Sequence, residues 1–298
     1  MSNNIISAIE FFSGIGAFHN AASLKCIKVI QAFDQNEDAN RVYYENYRLK
    51  PDNSNLDSIK INQLKDAQLW WMSPPCTPFS RRGNQKDDKD PRARAFLNLI
   101  SLIEKMKPSI LMIENVQGFC QSKVHKLLIE TLIKCGYKFK ELDLCSTDFR
   151  IPMRRPRYFL VASRIMDPTI PDITGFYDPR NLKEYLVETQ KDDHALLVNA
   201  DTLKKYENVL NIVNLKDPEA NLICFTRGYF RCNKASGSLL NLGAGSIKYV
   251  HPVDITRLLG FDSEFFFPEL IPLKKQWQLA GNSVDVRAIN YLLSAVRL

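Results

Sequence analysis

One cysteine held among prolines is the residue in this chain best placed to do chemistry. In WMSPPCTPFS, residues 71–80, Cys76 follows Pro74 and Pro75 and precedes Pro78. Each proline fixes φ and removes a backbone donor, so the segment is an ordered loop, neither strand nor helix. A thiol in such a loop is a buried structural group, half of a disulfide, or a nucleophile presented at the mouth of a site. Glu114 closes the apolar run SILMIEN. A carboxylate ending a buried strand costs desolvation unless it is hydrogen-bonded or needed, and the plainer reading is a helix-capping or solvent-facing acid. MRRPRYFLVAS opens with Arg154, Arg155 and Arg157. Alternation along an extended segment puts Arg155 and Arg157 on one face and Arg154 on the other. Two cations beside a thiol and a carboxylate would lower the thiol pKa and hold an anionic or carbonyl-bearing ligand; otherwise they are an exposed basic cluster that solubilises the strand.

A second group of residues suits a nucleotide. FFSGIG, residues 11–16, lies at the end of the first predicted strand, and Asp34 follows about 20 residues after Gly14. Gly14 and Gly16 let the backbone turn sharply and approach a ligand, and an acid at that interval binds ribose hydroxyls. The third glycine of the dinucleotide pattern is absent, which suits an adenosine moiety without a pyrophosphate, or simply a tight turn between strand and helix.

The elements that must position these residues follow from periodicity. IISAIEFF, KVIQAF, LWWMS, ILMIEN and YFLVAS are short apolar runs that fit strands buried on both faces. NEDANRVYYENY, RAFLNLISLIEKM and SKVHKLLIETLIKC carry apolar residues at helical spacing. Strands separated by helices predict a doubly wound α/β domain with a parallel sheet, and ligands bind such sheets at the carboxyl ends of the strands. Cys76 and Glu114 should therefore converge at one edge. From Met166 the rhythm changes to the proline- and aspartate-rich MDPTIPDITGFYDPRNLKE, so residues 166–250 read as a smaller domain. The large domain is 1–165, completed by 251–298, where DVRAINYLLSAVRL returns to helical spacing.

Composition sets the surroundings. The chain has 298 residues, 45% of them apolar, a net charge of +7, seven cysteines without a CxxC pair and four histidines. That suggests neither a disulfide framework nor a zinc site and points to a reducing compartment. No apolar run reaches membrane-spanning length and the N-terminus lacks a basic leader, so the reading is a soluble, intracellular protein. The positive charge suggests a polyanionic partner.

Taken in order, FFSGIG, Asp34, SPPCTPFS, DPR at 90–92, ENV at 114–116, RRPR at 154–157, LLGF at 258–261 and AGNSV at 280–284 resemble the cytosine-5 methyltransferases that use S-adenosylmethionine. ICFTRGY at 223–229 with SGS at 236–238 is most similar to the eukaryotic transfer-RNA aspartate branch, historically called DNA methyltransferase 2. The resemblance implies a Rossmann-like class I methyltransferase domain with a small target-recognition domain. It also implies methylation of cytosine 38 in the anticodon loop of aspartate tRNA, releasing S-adenosylhomocysteine, without a metal. Cys76 would attack carbon 6 of the base and Glu114 would hold the ring nitrogen and exocyclic amine. Arg157, with Arg155 in support, would bind the base carbonyl. Phe12, Gly14, Gly16, Asp34, Asp57, Ile59, Asn282 and Val284 would line the cofactor, and residues 80–94 would close over a flipped base. Thr77, Met153, Ala17 and NKASGS depart from the family's usual residues. The branch implies a cytoplasmic monomer that also enters the nucleus. A DNA cytosine-5 methyltransferase is the alternative, since both substrates present the same ring; a catalytically silent binding homologue and a nicotinamide dehydrogenase fit fewer of the residues.

Overall fold

The computed structural model describes residues 5–77, 87–191, 193–231, 236–243 and 246–296. The chain forms two compact units. One comprises Met1–Leu144, Pro156–Asp172 and Ala288–Leu298, the other Cys145–Arg155 and Ile173–Arg287.

In the first unit strands and helices alternate as β1 (Ile6–Phe11), α1 (Ala17–Ser23), β2 (Ile27–Phe33), α2 (Glu37–Tyr47), β3 (Leu69–Met72), α3 (Arg94–Met106), β4 (Ile110–Asn115), α4 (Lys123–Lys134) and β5 (Lys138–Leu144). After β6 (Met153–Arg154), which belongs to the second unit, β7 (Arg157–Ser163) returns to this sheet. The six strands lie in the order β2-β1-β3-β4-β7-β5. Every residue of β3 and β4 is buried, as central strands covered on both faces require. α3 buries Phe96, Leu99, Ile100 and Ile103, and α4 buries Val124, Leu128 and Leu132, spacings that put each set on one helical face. Those faces join Ile9, Phe11, Trp70, Met72 and Leu111 in one core, where each large side chain contributes about 1.5–3 kcal/mol. Asn36 caps α2 by accepting from the amides of Asp38 and Ala39, and Ser122 caps α4 by accepting from that of His125.

The sheet is mixed and not wholly parallel. β1 pairs with β2 and β3, and β3 with β4, in parallel, whereas β7 runs antiparallel to both β4 and β5. β5 escapes the apolar-run criterion because KFKELDL is an edge strand, largely exposed. β7 pairs antiparallel with β5 after the chain has passed through Cys145–Arg155 of the second unit, so residues outside this sheet set its direction.

The second unit carries short helices α5 (Leu182–Tyr185), α6 (Val187–Gln190) and α7 (Ala200–Lys205), then β8 (Ile212–Asn214), β9 (Leu222–Ile223), β10 (Leu239–Asn241) and β11 (Ile247–Tyr249). Helices α8 (Pro252–Leu258) and α9 (Leu273–Asn282) follow, and α10 (Val286–Ser294) crosses back to the first unit at Ala288. β8, β10 and β11 make one sheet and β6 pairs with β9. Residues 251–287, expected with the large domain, lie in this unit because Trp277 of α9 is buried in an aromatic cluster with Tyr229, Phe230 and Tyr249. Its indole Nε1 donates to Val250 O at 2.7 Å.

Candidate active site

Four strands, β1 to β4, point their carboxyl ends to one edge of the first unit's sheet. β1 and β3 are neighbours there although β2 intervenes in the chain, so the strand order reverses between them and a crevice opens at that point. The loops after β1 and β3 are tied together: Ser73 Oγ donates to Phe12 O at 3.2 Å. Asn115, at the end of β4, donates from Nδ2 to Pro74 O at 3.1 Å. Strand ends thus hold the proline loop from both sides.

Cys76 is exposed in that loop and in no disulfide, which removes two of the three readings open to it. One charge within electrostatic range of it is Arg92, a residue the sequence marked only as part of DPR. Buried Asp90 accepts from Arg92 Nε at 2.9 Å and Nη2 at 2.7 Å, fixing the guanidinium. The Asp90 carboxylate, with a smaller contribution from Cys76, raises the Arg92 pKa further above its usual range. A cation held in range of a thiol favours its thiolate. The expected closing loop, residues 80–94, lies outside the described residues over 80–86.

Glu114 is 7% exposed and pairs with Arg157, whose Nε lies 3.2 Å from Glu114 Oε1. The antiparallel direction of β7 makes this possible. Glu114 faces Phe159 and Asn115 faces Tyr158 across the ladder, so the first residue of β7 arrives at the last residues of β4. In a parallel sheet Arg157 would start at the opposite edge.

Arg155 does not share that face. Pro156 interrupts the extended segment between β6 and β7, so alternation fails there. Arg155 is 4% exposed within the second unit, where Nη1 donates to Phe225 O at 2.8 Å and Cys224 Sγ at 3.1 Å. Its Nη2 donates to Gly281 O at 3.3 Å and to Ser283 O. It binds the CFT segment to the end of α9, a structural task that sequence spacing conceals.

Of the residues expected around a nucleotide, Phe12, Gly14, Gly16 and Asp34 come together after β1 and β2. Phe12 adopts a left-handed φ of 57°, a strained conformation of the kind that gathers at ligand loops. Asp34 Oδ2 accepts from Gly14 N and Oδ1 from Asn36 N, both at 2.8 Å. Burial pushes the Asp34 carboxyl up against those two amides. A Cβ on Gly14 would meet nothing within 4 Å, whereas one on Gly16 would sit 2.3 Å from the Tyr47 ring, so Gly14 fronts open space and Gly16 packs on α2. Asp57 is exposed and Ile59, at 3% exposure, is part of the core. In the second unit Asn282 is exposed at the end of α9 and Val284 is buried.

Behind the glycine turn stands a group the sequence reading missed. Glu10, in mid β1, accepts from Tyr43 Oη at 2.7 Å, and Tyr43 Oη lies 2.7 Å from His19 Nδ1. Burial raises Glu10 to about 8, against the pull of Tyr43 and of the Phe18 and His19 amides. The signal available was an acid inside an otherwise apolar strand.

The tRNA (cytosine(38)-C(5))-methyltransferase of Schizosaccharomyces pombe is 30% identical over 99% of this chain and 97% of that protein. A DNA (cytosine-5)-methyltransferase of Dictyostelium discoideum is 28% identical, covering 98% and 94%. The structure of the Entamoeba histolytica methyltransferase EhMeth superposes with a TM-score of 0.87 at 29% identity, covering 97% of each chain. Because the sequence profile of the C-5 cytosine-specific DNA methylases matches residues 6–297, essentially the whole chain, the protein belongs to that family.

Proposed function

We propose that this protein transfers a methyl group from S-adenosylmethionine to carbon 5 of an unpaired cytosine in tRNA, at position 38 of the anticodon loop of aspartate tRNA. The observation that carries the chemistry is the Glu114–Arg157 ion pair, set at the sheet edge whose proline loop presents Cys76. The RNA substrate is supported by the end-to-end similarity to the S. pombe enzyme. The cofactor fits the turn after β1: Gly14 leaves an open face, and each Asp34 oxygen keeps a lone pair for a ribose hydroxyl beyond the amide it already accepts. When bound, S-adenosylmethionine supplies an electrophilic methyl group.

The chain's own residues do the rest. The Cys76 thiolate adds to carbon 6 of the base, forming the S–C6 bond and pushing the C5=C6 electron pair into the ring, so that carbon 5 becomes nucleophilic. Glu114, protonated when the base is bound, accepts from the exocyclic amine with one oxygen and delivers the proton on the other to the ring nitrogen where that charge collects. Arg157 holds the base carbonyl. Once carbon 5 carries the methyl group, its proton passes to water, the electrons of that C–H bond re-form C5=C6, the S–C6 pair leaves with Cys76 as thiolate, and the ring nitrogen returns its proton to Glu114. The second unit we assign to target recognition.

The DNA reading has two observations in its favour, the name of the Dictyostelium relative and that of the family whose profile the chain matches. Labelled S-adenosylmethionine offered with small RNA and with genomic DNA separates the two. Label in small RNA that vanishes in Cys76→Ala is the expected result; label confined to DNA overturns the substrate and keeps the mechanism.

A further inference from the structure

In the second unit the segment Thr226–Arg231 is built as a pedestal. Tyr229 N donates to Thr226 O at 2.9 Å and Arg231 N to Gly228 O at 3.0 Å, two consecutive turns. Tyr229 anchors them from below: its ring is buried, its hydroxyl donates to Ser238 O at 2.6 Å and accepts from Val250 N at 2.8 Å. α9 presses on the same turn, since a Cβ on Gly281 would fall 2.4 Å from Thr226 O and 2.9 Å from Arg227 N. What this rigid turn displays is Phe230, with φ at 67°. A left-handed backbone costs a bulky residue about 1–2 kcal/mol, which glycine would avoid. The ring is nevertheless 39% exposed. Trp277 stacks beneath it, centroids 4.8 Å apart and planes 17° from parallel, and Tyr249 closes one edge at 5.2 Å. Arg227 and Arg231 flank it, both exposed and neither in an ion pair among the described residues.

A strained, supported, part-exposed aromatic ring between two exposed cations is poor design for a core and good design for a nucleobase. We propose that Phe230 is a stacking platform for an unpaired nucleotide of the substrate RNA, with Arg227 and Arg231 taking the adjoining phosphates. Stacking on aromatic rings tolerates any base and demands that the base be out of a duplex, so the platform selects for an open loop and not for sequence. The inference rests on the RNA reading above and adds to it a residue that reads single-strandedness.

Phe230→Gly is the decisive variant, because glycine suits the observed φ and removes the ring without rebuilding the turn. Phe230→Trp keeps a stacking face. The probe is a set of anticodon stem-loop RNAs, each carrying 2-aminopurine at a different loop position, with the same strands in a full duplex as comparison. Expected for Phe230→Gly are a 5- to 100-fold rise in KM for the stem-loop, a smaller change in kcat, loss of the 2-aminopurine quench and unchanged affinity for S-adenosylmethionine, with recovery in Phe230→Trp. Wild-type protein that methylates the stem-loop while Phe230→Gly retains its KM and quench would sink the platform alone. Wild-type protein that methylates no RNA would sink the reading on which it rests.

Discussion

Replacing Glu10 with glutamine tests whether burial of that acid is what tunes the first unit's response to pH. The folded protein holds Glu10 protonated up to about 8, whereas the unfolded chain ionises it near 4.5. Between those values the native state binds the extra proton, so stability falls as pH rises, by a little over 1 kcal/mol per unit. His19 works the other way. Burial lowers it to about 4 from 6.5, so the unfolded state binds the extra proton in that window and stability rises with pH. The two slopes oppose each other from 4.5 to 6.5; above 6.5 only Glu10 acts, and wild type should lose about 2 kcal/mol by pH 8. Glutamine imitates the protonated acid: its Nε2 donates to the Tyr43 oxygen, whose hydroxyl then turns to His19 Nδ1. The stability of Glu10→Gln minus that of wild type should therefore grow by about 2 kcal/mol between pH 6.5 and 8. Urea unfolding followed by Trp70 and Trp71 fluorescence, both proteins carrying Trp277→Phe so that only first-unit tryptophans report, measures this difference. A difference that stays constant to within about half a kcal/mol over that range would refute the argument, because groups that do not interact with Glu10 titrate alike in the two proteins.

Arg92→Leu should raise the pH at which iodoacetamide alkylates Cys76, since it removes the fixed cation that favours the thiolate; alkylation rate against pH reads this directly. Gly16→Ala should destabilise by about 2 kcal/mol or more, combining a φ of 86° with the Tyr47 contact, and lower the melting temperature. Arg155→Lys should cost about 2–4 kcal/mol by stranding the carbonyls of Phe225, Gly281 and Ser283, and hydrogen exchange should quicken first around 224–226 and 281–283.

Runs with a clean apolar signature revealed themselves in the sequence. β1 to β4 are buried on both faces, so their composition announces them, and the sheet edge they define already located Cys76, Glu114 and Asp34. Where the sequence misled, partners distant in the chain decided the outcome. β5 is polar because an edge strand faces water, and the reversal of β7, which brings Arg157 to Glu114, depends on a passage through the second unit that no local pattern encodes. Arg155 and Arg157 are near neighbours with separate employments because Pro156 resets the backbone between them. Arg92 needed Asp90 to be recognised as a fixed charge, and the packing of Gly16 against Tyr47 on the next helix had no signal in the glycine pattern.

The interrupted make-up of the first unit has a consequence for how the protein is made. Its last pieces, Ala288 to the C-terminus, follow a stretch of about 115 residues, Ile173–Arg287, that belongs to the other unit. At ribosomal speeds of about 5–20 residues per second, the nascent sheet therefore stands for roughly ten seconds without Ile289, Leu292 and Val296, all buried in the finished protein. It lacks too the bonds that fasten this end, Thr169 N to Ala295 O and Tyr291 Oη to Pro171 O. Translation must pass Val296 before that hydrophobic face is covered, so the nascent chain shows apolar surface that the folded protein hides.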